Sequence, residues 1–386
     1  MLAALTWSAV LAGCASAPQA PAPQPPPGLF VDAAFDAPVL PIAAGEVFAL
    51  SPAMRHYLEV GIAAQLRSMG PQRGLVDALH SKAQLRLDYD TDVTRTAAEA
   101  FDARAGNCLS LVVMSAALAK HLGLPVQYQA LIGHETWSRS GDLSFVNGHV
   151  NLNVARRLVD RSTAFDPDTR LQLEFGALPI GRGSLLRVVS EATIVSMFMN
   201  NRAAEALVRG QLAEAYAYAR EAVIQAPDQA GAYNTLGVIY QRRGLAAAAE
   251  LAYSHALSRD SEQRAAMLNL ARLLDGQGRG AEAAPWRAKL ARLEAEPPFH
   301  YFDLGRAAAQ AGDFRTAREL ILREMRRDPD YHEFHFWLAV ALYGLGDIGP
   351  AQEHVTLAMN NSSTRQTQAI YAAKLRGLAP AALRSQ

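Results

Sequence analysis

Cys108, His149 and Asp166 are three residues whose side-chain types could together carry out covalent chemistry. A thiol nucleophile needs an imidazole to accept its proton and a third group to orient that imidazole, and the three need to be close only in space. In such an arrangement Cys108 attacks an amide carbonyl, His149 takes the thiol proton and returns it to the leaving amine, and Asp166 holds the useful tautomer. The backbone N–H of Cys108 is the first candidate for stabilising the oxyanion, and Asn107 and Gln84 are the alternatives.

The stretch from Thr96 to Val126 has to position Cys108. Its nearly continuous apolar run predicts a helix buried in the middle of a domain, with Asn107 as the N-terminal cap and Gly123 as the stop. Cys108 then lies in the first helical turn, where unpaired backbone N–H groups and the helix dipole favour a thiolate. The competing interpretation is that Cys108 is a small buried residue without chemistry, as a lone cysteine in an apolar helix usually is.

His149 and Asp166 lie on two segments that are predicted to be extended. Residues 147–154 alternate between polar and apolar side chains around His149, and residues 163–167 form a second short run that carries Asp166. Adjacent antiparallel strands would place Asp166 beside His149, with both residues facing the start of the helix that carries Cys108.

Short motifs surround these residues: Gly-Asn-Cys at the start of the helix, Gly-Leu-Pro-Val at its exit and Asp-Pro at the end of the last extended run. Together with the order Cys108, His149, Asp166, they resemble the bacterial transglutaminase-like superfamily. The resemblance covers about Glu46 to Val189. It implies an α+β papain-like core over residues 46–190, in which the cysteine helix packs on an antiparallel sheet. It also implies a thiol enzyme, a cysteine hydrolase, peptidase or acyltransferase, that cleaves or transfers amide or peptide bonds.

Residues 1–14 resemble the signal peptide and lipobox of a bacterial lipoprotein. They are apolar and end in Leu-Ala-Gly-Cys, so this resemblance implies that Cys14 is lipidated and anchors the chain in a membrane. A transmembrane helix is excluded because about 13 residues are too few for a bilayer, which needs roughly 20. The alternative is an ordinary Cys14 in a cytoplasmic protein. Since no Lys or Arg precedes the apolar run, we expect the natural start to lie further upstream.

Residues 15–45 begin with a segment rich in proline and alanine and predict an extended linker between the membrane and the first domain. Ala15, directly after the lipidated cysteine, provides no acidic retention signal. The resemblance to lipoproteins therefore favours the outer membrane, with the protein facing the periplasm of a bacterial cell envelope.

Residues 191–386 contain an internal repeat of 34 residues. Units that begin at positions 196, 230, 264, 298 and 332 share a glycine at the fifteenth residue, an alanine at the twentieth and a small eighth residue. This agreement without insertions resembles tetratricopeptide repeats and predicts an all-α solenoid of paired helices that ends in a capping helix. The seventh residue of four units is leucine, and these side chains are predicted to fill the seam between helices: Leu236, Leu270, Leu304 and Leu338.

A solenoid of this kind has a concave surface that suits an extended peptide or a partner protein. The candidate lining residues are polar side chains of the first helices: Asn200, Asn234, Arg242, Asn269, Arg272 and His335. The alternative is that these residues form a solvated face without a ligand. Tyr233 and Tyr240 fall at core positions of the repeat and are interpreted as packing residues.

The composition leaves two classes of function open. The chain has 37 Lys+Arg and 37 Asp+Glu, so no net charge attracts nucleic acid. Neither a Cys/His cluster with metal spacing nor a glycine-rich phosphate loop is present in the sequence, and we expect no cofactor. The first class is the membrane-anchored thiol enzyme with repeats that bind a protein partner or substrate. The second is an inactive transglutaminase-like scaffold whose repeats recruit a partner in an envelope assembly.

Overall fold

The computed structural model describes residues 24–38, 43–80, 85, 87–90, 93–132, 136–140, 143–157, 170–175, 185–293, 299–362 and 365–378. The predictions for the signal peptide with Cys14, for Asp166 and for Gln84 therefore lie outside the described residues. Within the ranges that the structure does describe, none of the helices combines the length and hydropathy that a bilayer-spanning segment needs.

The N-terminal half is an α+β domain. Its helices are α1 (Pro52–His56), α2 (Ala63–Met69), α3 (Pro71–His80), α4 (Ala97–Ala103) and α5 (Cys108–His121), with a π-helical turn at Tyr57–Gly61 between the first two. Its strands are β1 (Asp88–Tyr89), β2 (Ala105–Gly106), β3 (Val126–Ile132), β4 (Thr136–Ser140), β5 (Leu143–Asn147), β6 (Val150–Val154), β7 (Leu171–Leu173) and β8 (Leu185–Val189). An antiparallel four-stranded sheet has the order β7-β6-β3-β8, β1 pairs with β2 in parallel, and β4 pairs with β5 as a hairpin.

Helix α5 lies at the centre of this domain, as its apolar sequence predicts. Its residues from Leu109 to Ala119 are all buried, and they share one hydrophobic core with Val150, Leu152 and Val154 of β6. The helix ends before Gly123, whose φ of 70° lies in the left-handed region that glycine adopts without strain. The prediction of a buried helix that starts at the cysteine is confirmed.

The C-terminal half consists of helical hairpins. Its helices are α6 (Glu191–Val208), α7 (Leu212–Gln225), α8 (Ala230–Arg242), α9 (Ala246–Arg259), α10 (Arg264–Gly276), α11 (Gly280–Leu293), α12 (His300–Gln310), α13 (Phe314–Met325), α14 (His332–Gly344), α15 (Ile348–Asn361) and α16 (Arg365–Leu378). The five glycines of the repeat all have positive φ and turn the chain between the two helices of a hairpin: Gly210, Gly244, Gly278, Gly312 and Gly346. The prediction of an all-helical repeat region is confirmed. The first helix is longer than the repeat predicts, because it already begins at Glu191.

The repeats do not form one uniform solenoid. Among the described residues, which leave out 294–298, the first three hairpins share their hydrophobic core with the α+β domain, whereas α12 to α16 form a second core. The prediction that Leu304 fills the seam is therefore wrong, since this side chain is 48% exposed while the equivalent Leu236 is fully buried. The physical reason is that α12 packs with α13 and α14 and does not join the core of the preceding hairpins.

The linker predicted over residues 15–45 extends too far. Residues 29–35, which we call the docked segment, pack against α7 and α8 instead of spanning open solvent. Leu29 is 1% exposed, and the Phe35 ring stacks on Tyr216 with a centroid distance of 4.1 Å. The composition of residues 15–28 predicts an extended chain, but the apolar residues that follow them find partners on the repeats.

Candidate active site

The start of α5 is fixed by a short, tightly packed turn. Strand β2 ends at Gly106, where an added Cβ would lie 2.7 Å from the Cβ of Ser110, so a larger residue does not fit. The Asn107 side chain accepts a hydrogen bond from the N–H of Ser110 at 2.9 Å and caps the helix. The Asn107 amide also donates to the Thr94 hydroxyl at 2.9 Å, so both ends of this side chain serve the cap. The structure therefore gives no support to Asn107 as an oxyanion donor.

Cys108 is the first residue of α5, a free cysteine that is half-buried. Hydrogen bonds from the backbone N–H groups of Leu109 and Val150 and from the Tyr89 hydroxyl lower the pKa of its thiol. Burial acts in the opposite direction and is the largest effect, so the pKa of Cys108 is raised overall. At neutral pH Cys108 is therefore a thiol. Its surroundings already contain several hydrogen-bond donors that would stabilise a negative charge on the sulfur.

The backbone N–H of Val150 reaches the cysteine because of the register of the sheet. The N–H of Leu131 donates to the carbonyl of His149 at 2.9 Å, which makes Ala130 and Val150 a non-hydrogen-bonded pair of β3 and β6. The N–H of Val150 therefore points away from β3, toward the side of β7. Strand β7 pairs with β6 only from Leu152 to Val154, so this N–H lies beyond its end and faces Cys108.

His149 is the residue directly before Val150, and its side chain is buried. Its Nε2 atom lies 3.8 Å from Oε1 of Glu174 and, within the described part of the chain, makes no hydrogen bond. Burial lowers the pKa of His149, while the nearby Glu174 carboxylate acts to raise it. The imidazole is therefore neutral at pH 7, which is the form that can accept a proton.

The structure places Val150, the residue that follows His149, against Cys108 at the junction between α5 and β6, although His149 and Cys108 are 41 positions apart in the sequence. Among the described residues, no hydrogen bond joins the Cys108 sulfur to the His149 ring. Asp166 lies outside the described residues and stays a prediction.

Two residues of the site were missed in the sequence. Glu174 is the described carboxylate that pairs with His149, and it follows β7 directly. Tyr89 reaches Cys108 because it pairs with Gly106 across β1 and β2, two residues before the cysteine. Nothing in the local sequence indicates that Tyr89 lies next to the cysteine.

The first helix of the repeats contacts the segment before the cysteine. The N–H of Thr94 donates to Glu205 on α6 at 2.7 Å, and Arg202 of the same helix donates to the Thr94 carbonyl at 3.2 Å. The next residue, Arg95, donates its N–H to the Ser110 hydroxyl on α5 at 2.8 Å. The repeats therefore contact the cap of the cysteine helix through Thr94.

The six residues predicted to line a partner surface differ in their surroundings. Asn269 donates to Asn234 at 3.0 Å and links α10 to α8, while Arg242 and Arg272 are exposed. Asn200 is half-buried, and its Oδ1 atom makes no hydrogen bond with any described residue.

His335 does not belong to such a surface, and its prediction as a lining residue is wrong. This side chain is 5% exposed, and its Nε2 atom lies 2.8 Å from the Pro329 carbonyl. Its Nδ1 atom lies 2.9 Å from Nδ1 of His354. His335 occupies a core position of α14, where the helix contacts α15.

Comparisons with known proteins identify the repeats. Residues 302–349 match the family model described as tetratricopeptide repeat. No curated protein matches the chain.

Several solved structures are similar to part of the chain. YrrB, described as a TPR protein with an unusual peptide-binding site, has 19% identity and a TM-score of 0.26 over 46% of this chain and 92% of its own. PilF of Pseudomonas aeruginosa has 22% identity and a TM-score of 0.28 over 49% of this chain and 93% of its own. A thermophilic TPR protein of Thermus thermophilus has 15% identity and a TM-score of 0.30 over 47% of this chain and 99% of its own.

Proposed function

We propose that the α+β domain is a transglutaminase-like, papain-like thiol enzyme that cleaves or transfers amide bonds. The observation that carries this proposal is the convergence at the start of α5. There the Cys108 sulfur faces the N–H of Val150, and the residue before Val150 is a buried, neutral histidine. No part of the proposed reaction requires a cofactor.

The proposed chemistry starts from a neutral thiol and a neutral imidazole. His149 accepts the thiol proton as the Cys108 sulfur bonds to the carbonyl carbon, and it returns that proton to the leaving amine. The acyl group then passes from sulfur to water or to an amine acceptor, and His149 takes the proton that the acceptor loses and returns it to the sulfur. The N–H groups of Leu109 and Val150 and the Tyr89 hydroxyl stabilise negative charge on the sulfur when the acyl group leaves. Asp166 or Glu174 orients the imidazole.

An activated ester tests this proposal without knowledge of the substrate. We expect p-nitrophenyl acetate to release about one equivalent of p-nitrophenol per chain in a fast phase, as the acetyl group moves to sulfur. Cys108→Ala should abolish this phase, and His149→Ala should slow it about 100-fold, the range of general-base catalysis. A release rate equal to that of a free thiol, or unchanged in the Cys108→Ala chain, would contradict the proposal.

The second candidate function is an inactive scaffold, and the raised pKa of Cys108 favours it. In that case the α+β domain serves only to present the repeats. The same ester experiment separates the two functions, because a scaffold gives no fast phase that depends on His149.

We propose that the repeats bind a protein or peptide, which is the partner or the substrate of the first domain, and that they bind no nucleic acid. The tetratricopeptide match at residues 302–349 and the absence of net charge support this proposal. A pull-down from cell extract, with and without nuclease treatment, tests it. A captured partner that disappears after nuclease treatment would contradict it.

We propose that Cys14 carries a lipid that anchors the chain in the bacterial cell envelope, facing the periplasm and in the outer membrane. The support is the sequence Leu-Ala-Gly-Cys at residues 11–14. Metabolic labelling with palmitate, followed by separation of inner and outer membranes, tests this proposal. Equal labelling of the wild-type chain and a Cys14→Ala chain would contradict it.

A further inference from the structure

The docked segment, Leu-Phe-Val-Asp-Ala-Ala-Phe at residues 29–35, is held on the repeats through its backbone. The Tyr240 hydroxyl donates to the Leu29 carbonyl at 2.7 Å and accepts from the N–H of Val31 at 3.3 Å. The Arg243 Nε donates to the Ala34 carbonyl at 3.0 Å. Side chains of the repeats thus bind main-chain groups that any peptide carries.

The side chains of the docked segment provide the specific contacts. Leu29 is 1% exposed and enters the core, and the Phe35 ring lies parallel to Tyr216 at 4.1 Å. The Asp32 carboxylate accepts from the Tyr216 hydroxyl at 2.7 Å and lies 3.0 Å from Nε of Arg220.

Two arginines complete the surface. The guanidinium of Arg220 lies 4.8 Å from the centre of the Phe30 ring, and that of Arg243 lies 5.9 Å from the Phe35 ring. Cations over aromatic faces at these distances are favourable. We call the four residues Tyr216, Arg220, Tyr240 and Arg243 the docking surface.

We infer that the docking surface is a peptide-recognition site that a segment of this chain occupies in cis. The partner that fits it is a protein segment with an aliphatic–aromatic pair, an aspartate two positions later and an aromatic residue three positions after that. Such a partner segment binds by displacing the docked segment, whose chemistry it shares.

Apart from Leu29, which is buried in the core, the docked segment makes contacts of the kind that exchange. The segment forms only one 3-10 turn, Asp32–Ala34, and shares no strand ladder with the repeats. Its ion pair is at the surface, with side-chain exposures of 39% for Arg220 and 62% for Asp32, where such pairs contribute little. The docked segment needs little affinity of its own for the docking surface, because it is covalently attached to the repeats. A short tether gives it an effective concentration on the order of millimolar at that surface.

The experiment uses the full chain and a labelled peptide with the sequence of residues 27–37. We expect the wild-type chain to bind this peptide weakly, since the docked segment competes. Weakening that segment with Asp32→Ala and Phe35→Ala should tighten peptide binding at least tenfold in fluorescence anisotropy. Addition of Arg220→Ala to this weakened chain should reverse the gain.

Two controls are matched to these changes. Arg326→Ala removes another exposed arginine, on the fourth hairpin, and should leave peptide binding by the weakened chain unchanged. A peptide that carries Asp32→Lys and Phe35→Ala should bind at least tenfold more weakly than the original peptide. Equal binding of the two peptides, or equal binding by the wild-type and weakened chains, would overturn the inference.

A second measurement covers the case in which the weakened chain is poorly folded. A protease site inserted after Asp36 allows the docked segment to be cut from the folded wild-type chain. We expect the cut segment to exchange with the labelled peptide and to leave the protein on dilution. A cut segment that neither exchanges nor dissociates is a permanent part of the fold, and this result would overturn the inference.

Discussion

The carboxylate of Glu205 accepts a hydrogen bond from the backbone N–H of Thr94 at 2.7 Å, and this contact joins the repeats to the loop before the cysteine helix. Thr94 is 1% exposed, and its hydroxyl accepts from the Asn107 amide at 2.9 Å. A side chain of the first repeat helix therefore lies close to the residue that caps α5. We therefore expect changes in this repeat helix to affect the loop before α5.

Replacement of Glu205 should destabilise the protein. Glu205→Ala leaves the buried N–H of Thr94 without its acceptor, which costs about 1–3 kcal/mol. Glu205→Gln keeps an acceptor and should cost less. Urea unfolding measures both changes. Glu282→Ala is the matched control, because this exposed carboxylate pairs with Arg279 at the surface, and its loss should cost less than the loss of Glu205. Equal losses for Glu205→Ala and Glu282→Ala would contradict the role of the contact.

Tyr89→Phe should make the Cys108 thiol harder to ionise. The hydroxyl of Tyr89 lowers the pKa of Cys108 through a hydrogen bond, so its removal should raise that pKa further. The measurement is the rate of alkylation by iodoacetamide as a function of pH, which should rise at higher pH in the variant. Circular dichroism checks the fold. An unchanged pH profile in a folded variant shows that the hydroxyl does not act on the thiol.

Cys108→Ala should remove the ester reaction but not the fold. The substitution is small and lies at the first residue of a helix whose cap is supplied by Asn107, so we expect the chain to stay folded in urea unfolding, although the Val150 N–H and the Tyr89 hydroxyl lose an acceptor. A Cys108→Ala chain that unfolds under native conditions would identify the cysteine as a structural residue.

Acid should weaken the second core through His332. Burial lowers the pKa of this histidine from 6.5 to about 4, and its Nδ1 atom lies 2.8 Å from the Tyr371 hydroxyl. The unfolded chain therefore binds the proton more readily than the folded chain. The contribution to stability is complete above pH 6.5 and is lost as the pH falls toward 4, by up to about 3 kcal/mol.

His332→Gln should reduce this loss, measured as the difference in unfolding free energy between pH 7 and pH 4. The pKa values of His335 and His354 are also lowered by burial, so part of the acid sensitivity should remain. An identical pH dependence in the variant and the wild-type chain would assign the effect to other groups.

Glu324 should be one of the most sensitive positions in the second core. This residue of α13 is 2% exposed and accepts from the N–H groups of Phe299, Tyr301 and Phe302 at 3.2, 2.9 and 3.4 Å. The Glu324 carboxylate thus caps the N-terminus of α12 in place of a neighbouring side chain, and it also interacts favourably with the dipole of that helix.

Glu324→Ala should cost about 2–4 kcal/mol, since several buried N–H groups lose their acceptor. Glu319→Ala, an exposed carboxylate on the same helix, is the control and should have little effect. Unfolding monitored by circular dichroism compares the two, and similar midpoints would exclude the proposed cap.

The features that the sequence predicted well are those set by neighbours along the chain. Asn107 caps α5 because its side chain reaches an N–H three residues away, and the period of 34 predicts helix starts at residues 230, 264 and 332, where the structure has them. The cap and the helix starts depend on the spacing of residue types along the chain, and that spacing is visible in the sequence itself.

The features that the sequence did not predict depend on contacts between distant elements. Leu304 has the same repeat position as Leu236, but among the described residues its helix α12 belongs to the second core, and the repeat pattern does not specify this difference. Tyr89 and Glu174 reach the site through strand pairing that no local pattern specifies. The docked segment was assigned to a linker because its partners, Tyr216 and Tyr240, are about 200 residues further along the chain.

The separation of the two hydrophobic cores has a consequence for cooperativity. In a repeat protein each hairpin gains most of its stability from its contacts with the neighbouring hairpins. A junction where two hairpins share no core therefore reduces the cooperativity of folding between the two sides. The last two hairpins should therefore melt as a unit of their own, and calorimetry of the intact chain should resolve two transitions where a continuous array would give one.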